Sequence, residues 1–258
     1  MKYWQKSITL IEGCTPVSEG CDNCWSAAMT HNRFKKPGFT DFLGVFNSNI
    51  RTREDRLPEL LKGRKPRVIQ IWNDLFHEKV DYYFINRTFD LFHNALKFNS
   101  HKYLVLTKRA QRMAEWWDAV HRKYGDTLAE NIYMGVTCEN QPRFDERILY
   151  LLQVPGKKWL SFEPLLGNIN FSHTKIYAVG SLKHLLHMGH IHQIVVGCET
   201  GPHARLCKIE WIESIVEQCR ETGVPCFVKA INLNGKIISD ITKFPESLRV
   251  RELQWKEL

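Results

Sequence analysis

The sequence predicts an α/β protein whose parallel strands close, wholly or in part, into a TIM-like β/α barrel with a C-terminal extension. Two observations lead there. Short β-rich apolar runs alternate with helix-like patterns along most of the chain, which argues for a parallel sheet with right-handed crossovers. Most runs are nearly continuous in apolar residues, as strands covered on both faces are. Seven such runs in one domain favour a barrel over an open doubly wound sheet.

The expected strands are Ser7–Glu12, Arg67–Asn73, Lys102–Lys108, Asn131–Thr137, Lys158–Glu163, Gln193–Cys198 and Pro225–Lys229. Between them, Asp81–Phe98 sets Ile85, Phe89, Phe92 and Leu96 on one helical face. Ile209–Thr222 does the same with Trp211, Ile212, Ile215, Val216 and Cys219, at the spacing of an amphipathic helix. Gln111–Lys123 and Phe144–Leu152 are further helices. Asn168–His192, rich in Gly and His, breaks the rhythm and reads as an insertion or lid. Residues 1–229 make the expected barrel, and residues 230–258, with Phe244-Pro245, an extension packed on one end.

The 258 residues are 43% hydrophobic and 25% charged, enough for a sizeable core. That composition excludes disorder, collagen and coiled coil. No apolar run approaches the ~20 residues that span a bilayer. The N-terminus lacks the apolar h-region of a signal peptide, so a cytoplasmic protein without a membrane partner is expected. The net charge of +8 suits a polyanion such as nucleic acid, and it equally suits an ordinary basic protein.

Eight cysteines are informative by placement. In a reducing cytosol, clustered cysteines point to metal or catalysis rather than disulfides. Cys138, Cys198, Cys207, Cys219 and Cys226 are scattered. Cys219 lies on an apolar helix face and Cys226 opens a strand, as small core residues do. Cys14, Cys21 and Cys24 instead share one short segment after the first strand.

In a barrel, functional groups sit at the C-terminal strand ends, and those ends are unusually polar here. They read Glu12-Gly13-Cys14, Asn73-Asp74, Thr107-Lys108-Arg109, Thr137-Cys138-Glu139-Asn140, Ser161-Phe162-Glu163, Cys198-Glu199-Thr200-Gly201 and Lys229. Any single end is also what an ordinary polar turn looks like. Repetition at successive ends marks this face as the active one.

Thiolates ligate iron–sulfur clusters and structural zinc. Zinc wants a fourth ligand, and His31 on the following helix is the nearest choice, since a second cysteine pair is absent. Three cysteines on one loop fit a 4Fe–4S cluster with one open iron. The segment Gly13-Cys14 to Cys21-Asp22-Asn23-Cys24-Trp25 resembles the radical SAM superfamily, which usually spaces its cysteines Cys-x3-Cys-x2-Cys. Six residues separate the first two here. It more closely resembles a phage- and prophage-encoded relative with the pattern Gly-Cys-x6-Cys-x2-Cys-aromatic. The resemblance extends through Asp74-Leu75-Phe76-His77, Leu106-Thr107-Lys108-Arg109, Ser161-Phe162-Glu163-Pro164, Gly197-Cys198-Glu199-Thr200-Gly201, Ala204-Arg205 and Phe244-Pro245-Glu246. Cys198 replaces an expected glycine, and Lys229-Ala230-Ile231 an expected Lys-Gln-Trp.

The resemblance implies a 4Fe–4S cluster on Cys14, Cys21 and Cys24 and reductive cleavage of S-adenosylmethionine (SAM), with an electron donor such as flavodoxin or ferredoxin. In the SAM site, Lys108 and Arg109 would meet the carboxylate, Asn73 or Asp74 the amine, and Glu139 or Asn140 the ribose, beside Thr137. Glu163, Glu199 and Lys229 would serve substrate binding or proton transfer. Lys108 and Arg109 could instead be a surface pair, Asp74 an N-cap, and Lys229 a partner for one of the carboxylates. Basic balance, aromatic content and the phage-type resemblance point to DNA or a nucleotide as substrate, with an isomerase acting in phage thymine hypermodification as the leading case, in the host cytoplasm. A DNA-repair lyase remains open, and the competing class is a zinc-stabilised nucleic-acid-binding protein without activity.

Overall fold

The computed structural model describes residues 2–36, 38–125, 128–173, 175–176, 180–181, 189–201 and 203–255. Strand β1 (Lys6–Thr9) runs into the short β2 (Ile11–Glu12), followed by helix α1 (Trp25–Ala28) and β3 (Arg51–Thr52), which pairs antiparallel with β2. Regular alternation then sets in: β4 (Val68–Trp72), α2 (Tyr82–Phe98), β5 (Lys102–Thr107), α3 (Ala110–Tyr124), β6 (Ile132–Thr137), α4 (Gln141–Gln153) and β7 (Lys157–Phe162). The small hairpin β8 (Lys175–Ile176) and β9 (Gly180–Ser181) lies within the expected insertion, much of which falls outside the described residues. The chain closes with β10 (Gln193–Gly197), α5 (Ile209–Thr222), β11 (Cys226–Leu233) and β12 (Lys236–Ile238).

Among the described residues the main sheet has eight strands in the order β1-β4-β5-β6-β7-β10-β11-β12. All neighbours are parallel except β12, which pairs antiparallel with β11. Sequential parallel order places the C-terminal ends of β1, β4, β5, β6, β7, β10 and β11 on one edge. The sheet is open, with no hydrogen-bonded pairing between β1 and β11. The expected strands and helices are present, with Asp81 capping α2 by accepting from the Tyr83 amide at 2.7 Å, a favoured capping arrangement. On α2, Ile85, Phe89 and Phe92 are buried as expected, whereas Leu96 is exposed and Ala95 takes the core position.

The strands' alternation divides the apolar residues into two cores. One lies between sheet and helices, and contains Ile69, Val105, Met134, Leu160 and Val196. The other gathers Val68, Leu104, Tyr133, Trp159, Val195 and Phe227, one from each of six strands, around Tyr3 and Trp255. Tyr3 meets Trp159 and Phe227 at ring separations of 5.8 Å. On a flat sheet, six strand spacings would hold β1 and β11 roughly 29 Å apart. These contacts therefore require a strongly curled sheet with a concave inner face.

Residues beyond 229 continue the sheet through β11 and β12. Trp255 then plugs the inner core, its indole donating to the Tyr3 carbonyl at 2.8 Å. No helix among the described residues is long and apolar enough to cross a membrane.

The inner face has no slack at Gly135 on β6, where an added Cβ would lie 2.3 Å from the Trp159 indole nitrogen. That indole donates to the Val105 carbonyl at 3.1 Å, so it is not free to yield. Gly135→Ala is expected to lower stability by about 1–3 kcal/mol, the usual cost of overpacking. Urea unfolding checks this, and an unchanged midpoint would show a looser interior.

Candidate metal centre

The cysteine loop begins where β2 ends. Glu12 is buried and met by Lys36, Arg51 and Arg53. Burial raises its carboxyl, but Lys36 and Arg51 outweigh that effect and hold it below the usual carboxylate range. Gly13 then turns the chain at φ +82°, with the Asn49 carbonyl only 1.9 Å from where a Cβ would stand. Only glycine satisfies both demands. The loop carries Cys14, makes a 3-10 turn over Glu19–Cys21, and ends with Cys24 at the N-cap of α1.

Buried polar groups from four strand ends hold this loop. Arg109, after β5, donates to the Thr15 carbonyl at 3.0 Å and reaches the Cys14 sulfur at 3.7 Å. Asp74 and Glu78 balance its charge at 2.9 and 2.8 Å. Asn73, after β4, donates to the carbonyls of Ile11 and Gly13 and accepts from Ser26 at 2.6 Å. His77 bonds the Thr15 hydroxyl at 2.7 Å.

Glu139, fully buried after β6, accepts from Ser18 and pairs with Arg147 of α4 at 2.7 Å. Asn140 caps α4 and donates to Glu19. Across the loop, Glu199, after β10, accepts from Asn23 at 3.0 Å and Arg205 at 2.6 Å. Arg205 continues to the Glu19 carbonyl at 2.8 Å and to Asp22 at 3.0 Å.

All three cysteines are free and partly buried, and they line the same two cavities, of about 510 and 140 Å³. Burial, with Asp74's charge, pushes the Cys14 thiol up to about 12, and burial raises Cys24, which the Ala27 amide and the nearby Lys108 partly offset. Proton loss at such thiols is drawn by a bound metal ion. Among the described residues no three His, Cys, Asp or Glu side chains are grouped tightly enough to hold a metal ion as they stand. By donor chemistry the site nevertheless fits an iron–sulfur cluster, because three thiols on one loop border a common cavity. Seating it requires the loop to draw the sulfurs together.

The sequence-singled strand ends divide by position. Asn73, Asp74, Lys108, Arg109 and Thr137 line the 140 Å³ cavity with the cysteines. Lys108, Thr137, Glu163, Glu199 and Lys229 line a third cavity of about 120 Å³, beside Cys24. Glu163 and Lys229 form an ion pair there. Glu139 and Asn140 lie behind the loop and border none of these cavities. The Lys108 amide donates to Asp74 at 3.4 Å, whereas its ammonium, unlike the Arg109 guanidinium, has no hydrogen-bond or ion-pair partner among the described residues. Trp25 packs edge-on to Trp72 at 4.8 Å and is 42% exposed at the cavity wall.

Ser161 stood among the polar strand ends and Asn23 within the cysteine segment without a role, and Gln70 and Arg147 were not singled out. Gln70 and Ser161 carried a signal, being polar residues inside otherwise apolar strands. Arg147 and Asn23 carried none, since their partners are set by tertiary contact. Cys138, Cys198, Cys207, Cys219 and Cys226 are all buried, as the core reading of Cys219 and Cys226 implied, and Cys198 also borders the 120 Å³ cavity.

The Glu139–Arg147 pair gives a direct test of the loop's support. Arg147→Met would strand a buried carboxylate, at a cost of about 3–5 kcal/mol, and adding Glu139→Leu should restore part of it. Urea unfolding of both variants measures this. A loss below about 1 kcal/mol in the single variant would mean the pair carries little.

No curated protein and no solved structure matches the chain. Residues 1–249, nearly its whole length, match the family described as "Protein of unknown function (DUF5131)", and the chain belongs to that family.

Proposed function

We propose that this protein is a radical-SAM-type enzyme that acts on a nucleic-acid base or nucleotide. The observation that carries the reading is the placement of Cys14, Cys21 and Cys24 on one braced loop, all bordering one cavity at the C-terminal edge of the sheet. On this reading the curled open sheet is a partial TIM-like barrel, whose active groups sit at that edge. Eight unpaired cysteines suit a reducing cytoplasm.

A cluster on the three thiolates would supply the electron that cleaves SAM to a 5′-deoxyadenosyl radical. The chain's own residues bind and orient. Lys108, cationic and unpaired on the cavity wall, is placed to meet the SAM carboxylate. Arg109 is committed to Asp74, Glu78 and the Thr15 carbonyl, and its part is to hold the loop. Thr137 and Asp74 border the same space for SAM's polar groups. Glu163 and Lys229, paired in the adjoining cavity, face the substrate and can hold or pass a proton. Trp4 and Trp25 on that cavity's wall offer faces for a base to stack on, and the +8 charge favours a phosphate-bearing substrate. An external reductant, of the flavodoxin or ferredoxin kind, delivers the electron. Rearrangement of a modified phage thymine is the substrate chemistry we favour.

Anaerobic reconstitution followed by SAM and dithionite should yield 5′-deoxyadenosine, with iron and sulfide bound. Replacing any one of the three cysteines by alanine should abolish that product. Colourless protein holding zinc would overturn the reading in favour of a zinc-stabilised binding protein.

The two cations should separate. Lys108→Ala is expected to weaken SAM binding about ten- to a hundredfold, the worth of a charge-assisted pair, without loss of iron. Arg109→Ala should instead lower iron loading, because the loop loses its brace. Titration of SAM and iron analysis read the two effects. Equal SAM affinity in Lys108→Ala and the parent would displace the carboxylate from this site.

A further inference from the structure

The 120 Å³ cavity beside Cys24 has a floor that the catalytic reading leaves unused. Gln70, third residue of β4, is only 6% exposed and borders both this cavity and the neighbouring thiol-lined one. Its amide oxygen is buried and has no hydrogen-bond partner. An acceptor left so is destabilising unless something fills it. β4 otherwise reads Val68-Ile69-Ile71-Trp72, and the Gln70 amide lies beside the Tyr3 hydroxyl while its oxygen stays open.

Neighbouring groups define what would fit. Ser161, 1% exposed, brings a hydroxyl to the same floor from β7. Lys229 supplies an ammonium, 5.8 Å from the Trp4 ring and paired to Glu163. The floor thus offers one free acceptor beside two donors, between aromatic walls. The complementary group is flat and neutral, and carries an N–H next to a carbonyl, which is a lactam or imide edge.

We propose that Gln70 is a specificity-determining residue, whose amide oxygen accepts from the lactam N–H of a bound heterocycle while Ser161 or Lys229 donates to its carbonyl. This deepens the nucleobase reading above and rests on it. Among bases it selects those with a ring N–H beside a carbonyl and rejects those with a ring nitrogen acceptor at that position. A site built to pair a substrate N–H discriminates strongly against analogues lacking it, because its own buried group is then left unpaired.

The test compares uridine with 3-methyluridine, in which a methyl replaces that N–H hydrogen, by calorimetric titration of the full-length protein. Uridine should bind at least about tenfold more tightly, one buried hydrogen bond's worth. In Gln70→Leu that preference should shrink to about threefold or less, and Gln70→Glu, which keeps an acceptor, should retain more of it. Circular dichroism confirms that both variants are folded, and the comparison of the two ligands on the parent needs no variant. Equal affinities, no binding of either nucleoside, or an unchanged preference in a folded Gln70→Leu would each overturn the proposal. Its failure is distinct from failure of the radical reading: 5′-deoxyadenosine formed by a parent that ignores the N–H removes only the role of Gln70.

Discussion

The loop from Gly13 to Cys24 stays in place because buried charge holds it there. Few of its side chains reach the core, so apolar packing cannot fix it. Arg109, Glu139 with Arg147, and Glu199 with Arg205 reach it from different strand ends. Taking such charges out of water costs several kcal/mol per ion, and they persist only where every partner is supplied. Here each has its counter-ion; Arg109, Glu139, Glu199 and Arg205 also bond loop atoms, and Arg147 holds Glu139 and the Thr137 carbonyl behind them. Removing one partner therefore threatens the position of three thiols as well as one contact.

That constraint separates two roles among similar-looking residues. Because the strands are parallel and sequential, their polar ends all arrive at one edge. Residues that meet the loop directly, such as Arg109 and Glu139, are occupied in bracing it. Those that pass beside it, such as Lys108, Glu163 and Lys229, face open space. Lys108 and Arg109 are adjacent in sequence and point to different tasks. The curl of the sheet does the rest, since the inner core around Tyr3 fills the closed side and leaves the cavities next to the cysteines.

The expected strands and most helical faces were legible because an apolar period survives any tertiary arrangement. Ile85, Phe89 and Phe92 are buried as their spacing implied, while Leu96 near the end of α2 is not. The edge that carries the site was legible from the polar strand ends. Their division of labour was not: Glu139 reads the same whether it faces a ligand or Ser18, 121 residues earlier. Gln70 was visible as a lone amide within an apolar strand, yet only the cavity shows why it matters. Barrel closure depends on whether β1 and β11 pair across the chain, which no local pattern reports.

On the proposed reading, the braced loop presents three thiolates to one cluster and leaves an iron open toward SAM. Mössbauer spectroscopy of protein reconstituted with ⁵⁷Fe, with and without SAM, tests it most directly. A cluster so held should give a 4Fe–4S spectrum in which one iron site alone changes on adding SAM. Four irons indifferent to SAM, or a protein that takes up zinc and no iron, would contradict it.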